Sequence, residues 1–122
     1  PKQNGMPELH SLTPSLSILQ KRGYKIGLIT DGRMSGASGK VPAAIHLTPE
    51  AMDGGLISKI RNGDLLKLDA IKGVIDVIDY ETVSMRAPST IEAKNRNSLG
   101  RGLFANARQN VSTSEEGASF IL

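Results

Sequence analysis

Cysteine is absent from this chain of 122 residues. That excludes disulfides, and it excludes any thiolate-held metal or iron–sulfur cluster built from this chain alone. Aromatic residues are scarce as well: Tyr24, Tyr80, Phe104 and Phe120 are the full set, so the core has to come from Leu, Ile, Val, Ala and Met. No apolar run approaches the length of a membrane span, and no signal-peptide pattern is visible. The net charge of +3 is mild, and its cations are dispersed rather than striped. A basic face interleaved with aromatics, which single-strand nucleic-acid binders need, is missing. These absences argue against a nucleic-acid partner and against a membrane partner. The length suits one domain burying roughly 65% of its unfolded surface. Beginning at Pro1 rather than Met, the chain reads as a processed or excised piece.

What is present is concentrated in one stretch. An apolar run, Ile26 to Ile29, empties into Thr30-Asp31-Gly32-Arg33-Met34-Ser35-Gly36-Ala37-Ser38-Gly39-Lys40. A buried strand leading into such a loop places reactive groups at a rigid edge. The three glycines allow positive φ or close approach to a ligand, and Ser35 lies between the cations Arg33 and Lys40. The stretch is not a Walker loop, because Lys40 is followed by Val41 rather than Ser or Thr. It is not a Gly-x-Ser-x-Gly elbow either. On residues alone it is a candidate small-molecule site or a glycine-rich turn closing a strand.

Around it, Thr13-Pro14 reads as a helix start, with Thr as N-cap and Pro at the first helical position. Lys21-Arg22 and then Gly23 read as its end. Tyr24 to Thr30 is a predicted strand and Val41 to Leu47 a second extended segment. Thr48-Pro49-Glu50 repeats the cap pattern ahead of a short helical turn to Met52, broken by Asp53-Gly54-Gly55. Leu56 to Ile60 is predicted as a strand, and Asn62-Gly63-Asp64 as a hairpin turn. Leu65 to Asp69 and Val74 to Asp79 alternate as strands do. Beyond Tyr80 the pattern loosens until Leu99, Leu103, Phe104 and Ala107 recur at helical spacing, predicting a helix over 99–109.

Taken together in order, several pieces resemble the dihydroxyacid dehydratase/phosphogluconate dehydratase family: Gly5-Met6-Pro7-Glu8, Ile29 to Gly36, Thr48-Pro49-Glu50-Ala51, Gly54-Gly55 and Asn62-Gly63-Asp64. Within the family, Gly36 to His46 and the tail Gly100-Arg101-Gly102-Leu103-Phe104-Ala105 with Glu116-Gly117-Ala118 look like the phosphogluconate branch. The resemblance covers nearly the whole chain, most densely before residue 70. It implies an α+β fold, a swivelling β/β/α domain with a small barrel-like sheet and flanking helices. It also implies that residues 1–122 are the C-terminal domain of a larger cytoplasmic dehydratase. The N-terminal domain of that enzyme would carry the iron–sulfur cluster, with its ligands outside this chain, and the family's dimers imply a homodimer.

The implied reaction dehydrates a 2,3-dihydroxy acid to a 2-oxo acid, here 6-phospho-D-gluconate to 2-dehydro-3-deoxy-6-phosphogluconate. A base is required at C2 and a Lewis acid on the oxygen leaving C3. By resemblance Ser35 is the base, acting as an alkoxide, which needs stabilisation from nearby positive charge such as the cluster, a divalent cation, or the backbone N–H groups around Gly36 and Ala37. The competing reading is a turn serine whose hydroxyl caps local backbone. Glu8 matches the family's carboxylate ligand for Mg²⁺, against the alternative of a solvated acid. Arg33, Ser38 and Lys40 are candidates for the substrate carboxylate or phosphate, with Lys40 equally readable as a solvated cation. Asp31 reads as orienting the loop. His10 and His46 are left out of catalysis, His46 being read as a strand residue with a satisfied hydrogen bond. Two other readings remain open: a dihydroxyacid or sugar-acid dehydratase without a phosphate requirement, and a binding module that has lost the chemistry. The 122-residue piece alone is expected to fold but not to turn over substrate.

Overall fold

A computed structural model of the chain describes residues 1–5, 8–34, 39–89 and 99–121. It is mixed helix and strand, in agreement with the α+β expectation. The β structure among the described residues is two separate two-stranded sheets and no closed barrel.

A 3-10 turn, His10–Leu12, leads directly into helix α1, Thr13–Lys21. Thr13 is therefore the first helical residue and not the N-cap. Its hydroxyl donates instead to Met34 Sδ at 3.3 Å, tying the start of α1 to the residue that precedes the glycine-rich loop. The end falls where the sequence places it: Gly23, at φ 93°, takes the left-handed conformation that a Cβ would oppose.

Strand β1, Leu28–Ile29, pairs in parallel with β2, Ala43–Ala44, with Leu28 opposite Ala43 and Ile29 opposite Ala44. Both are much shorter than the predicted segments. Next comes a 3-10 turn at Ala51–Asp53 and another at Leu56–Lys59, where the sequence predicted a strand over 56–60. The Ser58 N–H and hydroxyl both donate to the Gly55 carbonyl, at 2.9 and 2.7 Å, which closes a helical turn. An apolar run this short carries no periodicity that separates strand from turn. Gly55 is obligatory here, because a Cβ would lie 1.7 Å from the Pro49 carbonyl oxygen.

Asn62-Gly63 is a turn, but it joins the second 3-10 segment to a strand rather than two strands. The antiparallel hairpin follows it: β3, Leu66–Asp69, and β4, Val74–Val77, with Leu66 opposite Val77 and Asp69 opposite Val74. Asp69 Oδ1 accepts the N–H groups of Ile71 and Lys72 and shapes the connection. Alternation holds as read, with Leu66, Leu68, Ile75 and Val77 half-buried and Lys67, Val74 and Asp76 outward.

Helix α2, Tyr80–Ser84, has no counterpart in the sequence pattern; Asp79 caps it by accepting the Thr82 N–H. It carries Val83, the most buried side chain described, at 1% exposure. The predicted helix over 99–109 is two short ones, α3 (Leu99–Leu103) and α4 (Ala105–Gln109), interrupted at Phe104. Leu103 and Phe104 are exposed. No described helix is long and apolar enough to cross a membrane.

Candidate active site

The hydrogen bonds around β1 extend its order well past two residues. The N–H groups of Leu28 and Thr30 donate to the carbonyls of Pro42 and Ala44, each at 2.9 Å, and the His46 N–H donates to Gly32 O at 2.9 Å. Even-numbered residues of 28–32 thus serve the 42–46 side. Arg33 faces the other way: it is bridged in parallel to Glu8, and its carbonyl accepts the Leu9 N–H at 3.3 Å. Segment 28–33 is therefore the middle of three parallel segments. The carboxyl ends of parallel strands are where open α/β sheets bind ligands, and this end carries Glu8, Arg33 and His46.

Several bonds fix the approach to the loop. The Gly32 N–H donates to Thr30 Oγ1 at 2.9 Å. Asp31 Oδ2 accepts the Ala51 N–H at 2.8 Å and so fastens the strand end to the Ala51–Asp53 turn. Met34, next in line, is buried at 6% exposure. Glu8, half-buried, accepts the His10 N–H on Oε1 at 3.0 Å, so the carboxylate is held by the turn that opens α1.

Ser35 and Ser38 lie outside the described residues, as do Met6 and Pro7. Of the remaining site candidates, Glu8 and Arg33 are brought together as bridge partners. Lys40 is not with them. It stands two residues before Pro42, whose carbonyl takes the Leu28 N–H, and so belongs to the opposite end of the parallel pair. Five residues of strand separate those levels, roughly 16 Å. The loop leaves the strand beside Glu8 and returns at Lys40, both Arg33 and Lys40 being exposed.

Glu50 stands in a motif that carries the family resemblance, but composition and spacing do not mark it as a site residue. Its carboxylate is buried at 4% exposure; Oε1 accepts the Lys2 N–H at 2.8 Å and Oε2 lies 3.1 Å from the Pro1 nitrogen. It holds residues 1–2 against the Ala51–Asp53 turn, and Lys2 adds an ion pair to Asp53. A cavity of about 200 Å³ opens here, lined by Leu9, Thr30, Asp31, Gly32, Glu50 and Ala51 among others. A larger one, about 480 Å³, lies between β1 and the β3–β4 hairpin, lined by Ile29, Leu47, Leu56, Ile60, Leu66 and Tyr80 among others. Its lining is mostly aliphatic and includes neither Glu8 nor Arg33, so size does not mark the chemistry here.

Among the described residues no group of three His, Cys, Asp or Glu side chains is placed to hold a metal ion. Glu8 fits as one hard-oxygen ligand and no more. A cation at this edge needs further ligands from outside the described residues. A cluster needs thiolates that the chain does not have.

A three-segment parallel edge with a carboxylate and a guanidinium, at the point where the glycine-rich stretch begins, is the candidate site. Comparison with known proteins narrows it. Residues 1–118 match the family described as dihydroxy-acid/6-phosphogluconate dehydratase C-terminal, and the chain belongs to that family. It is 51% identical, over 99% of its length, to a phosphogluconate dehydratase of Rhizobium meliloti, and 48% identical over 99% to one of Escherichia coli K12. A dihydroxy-acid dehydratase of Prochlorococcus marinus is 39% identical over 93%. The chain spans about 20% of the length of each of these relatives.

Proposed function

We propose that residues 1–122 form the C-terminal swivelling β/β/α domain of a larger hydro-lyase, one that dehydrates 6-phospho-D-gluconate to 2-dehydro-3-deoxy-6-phosphogluconate. The observation that carries this reading is the higher identity, over nearly the whole chain, to relatives named for phosphogluconate than to the one named for a dihydroxy acid. The enzyme works as a cytoplasmic homodimer, and its N-terminal domain supplies the iron–sulfur cluster and the ligands of that cluster.

In this reading Ser35 takes the proton from C2, hydroxide leaves C3, and the resulting enol tautomerises to the 2-oxo acid. A serine hydroxyl needs stabilisation of its anion to act so, which nearby positive charge such as the cluster, a divalent cation, or backbone N–H groups following Ser35 would supply. Arg33, at the near end of the loop, suits bidentate contact with the substrate carboxylate. Ser38 and Lys40 hold the phosphate. Glu8 contributes one carboxylate to Mg²⁺, which when bound supplies the Lewis acidity for the departing hydroxyl.

The test is an anaerobic 2-oxo acid assay on the full-length enzyme with its cluster reconstituted, comparing 6-phosphogluconate with 2,3-dihydroxyisovalerate. Preference for the phosphorylated acid is expected. Ser35→Ala should lower kcat by about 10²- to 10⁴-fold, the usual worth of a positioned base. Lys40→Ala and Ser38→Ala should lose activity on the phosphorylated acid only. Preference for 2,3-dihydroxyisovalerate would move the domain to the other branch of the family. Turnover of neither would leave a binding module.

A further inference from the structure

His46 stands where β2 runs out, and its backbone is not that of a strand. Its φ is 56°, the left-handed region that a residue with a Cβ enters at a cost. The chain reverses there: the His46 N–H reaches forward to Gly32 O, while the next N–H, Leu47, reaches back to Thr30 O at 3.2 Å. A hook of this kind re-aims the side chain at the end of a paired segment, and backbone strain of this kind gathers at binding sites. The hook itself needs no imidazole; glycine would make it with less strain. The ring is exposed, and no hydrogen bond joins it to another described residue. Its position is nonetheless tightly set, because the bond to Gly32 places it against the residue preceding Arg33, at the end where Glu8 and Arg33 are paired.

We infer that His46 is a further substrate-contacting residue, its imidazole holding an oxygen of the bound hydroxy acid at the carboxyl end of the three parallel segments. The inference rests on the dehydratase reading above. Glu8, Arg33 and His46 then come one from each segment. The substrate is gripped by a side chain from the outer segment that composition and spacing alone assign to the strand. The contact is a binding one: it is made to the ground state and the transition state alike, so it acts on KM more than on kcat.

The test uses three variants of the full-length enzyme: His46→Ala, His46→Gly and His46→Asn. Each is assayed with 6-phosphogluconate, with thermal unfolding run alongside. His46→Ala and His46→Gly are expected to raise KM about tenfold, the size of one hydrogen bond to an anionic group, with kcat changed less. His46→Gly should unfold no lower than wild type, since it relieves the positive φ. His46→Asn, which tolerates the same backbone and keeps a hydrogen-bonding amide, should recover part of the loss. Wild-type KM in His46→Gly would overturn the inference and leave His46 a backbone hook only. So would unchanged KM in His46→Ala. Failure of the functional reading looks different: there wild-type enzyme itself turns over neither acid, or Ser35→Ala stays fully active, whatever the His46 variants do.

Discussion

Glu8 and Arg33 stand opposite one another as partners of a parallel bridge, although 25 residues separate them in sequence. The bridge puts a carboxylate and a guanidinium side by side where the backbone leaves β1 for the glycine-rich loop. In the function proposed above, Arg33 is the anion-binding group of this edge and Glu8 its oxygen ligand for Mg²⁺.

Replacing Glu8 by Gln separates those functions. The amide oxygen can still accept the His10 N–H that Glu8 Oε1 accepts at 3.0 Å, so the turn before α1 survives. The negative charge does not. The full-length enzyme should then need about tenfold or more Mg²⁺ for half-maximal activity, since hard cations are tuned by the number of charged ligands. Titrating activity against Mg²⁺ checks this; an unchanged half-point would remove Glu8 from the metal.

Asp31 governs the other side of the same strand end. Asp31→Ala leaves the Ala51 N–H without the carboxylate it reaches at 2.8 Å. It should cost about 1–3 kcal/mol in urea unfolding, the range for a partly buried bond to a charged acceptor. Asp31→Asn retains an acceptor and should recover most of it. Activity should fall as well in the Ala variant, because the strand end that carries Arg33 is no longer fastened to the Ala51–Asp53 turn.

The division between what was readable and what was not follows the range of the forces involved. The β3 and β4 strands were legible because one face of each is apolar and the alternation survives burial. Gly23 was legible as a helix stop because its backbone requirement is local. The 56–60 segment was not, because Ser58 competes for a local carbonyl in a run too short to show a period. Helix α2 was missed for a related reason: five residues contain one cap, Asp79, and one core residue, Val83, which is too little pattern to register. In the site, the glycine-rich loop with its serines and cations stood out from composition. The Glu8–Arg33 pairing and the distance of Lys40 from both depend on the parallel register, and no spacing in the sequence encodes a register across such separations.

Val83 is the place where the fold is most sensitive to lost volume. It is 1% exposed in α2, which meets the Leu56–Lys59 turn through the bond from Lys59 Nζ to Ser84 O at 2.6 Å. Val83→Ala removes two buried methyl groups and should cost about 2 kcal/mol by urea unfolding. Ile71, 99% exposed in the hairpin connection, is the control: Ile71→Ala should stay within about 0.5 kcal/mol. Equal losses at the two positions would mean that α2 does not pack as described.

The Arg86–Asp64 pair sets a pH dependence whose direction is fixed by chemistry. Arg86 Nη1 lies 2.6 Å from Asp64 Oδ2, and the Arg61 N–H donates to the same oxygen at 2.7 Å. The Arg86 hydrogen bond first, then the Arg61 N–H, hold the Asp64 carboxyl below the usual aspartate range. A carboxyl lowered in the folded state stabilises it at any pH above its unfolded value. That contribution is lost as pH falls through the folded value. Wild type and Asp64→Asn should therefore differ by a constant amount from neutral pH down to about pH 5, and converge below about pH 4 as Asp64 takes up its proton. The pair is part-buried, with the Arg86 and Asp64 side chains 29% and 11% exposed, so added salt should shrink the difference only in part. Unfolding midpoints in urea, measured from pH 7 to pH 2, check this; a gap that stays constant through the whole acid limb would mean that Asp64 carries no charge-dependent share of stability.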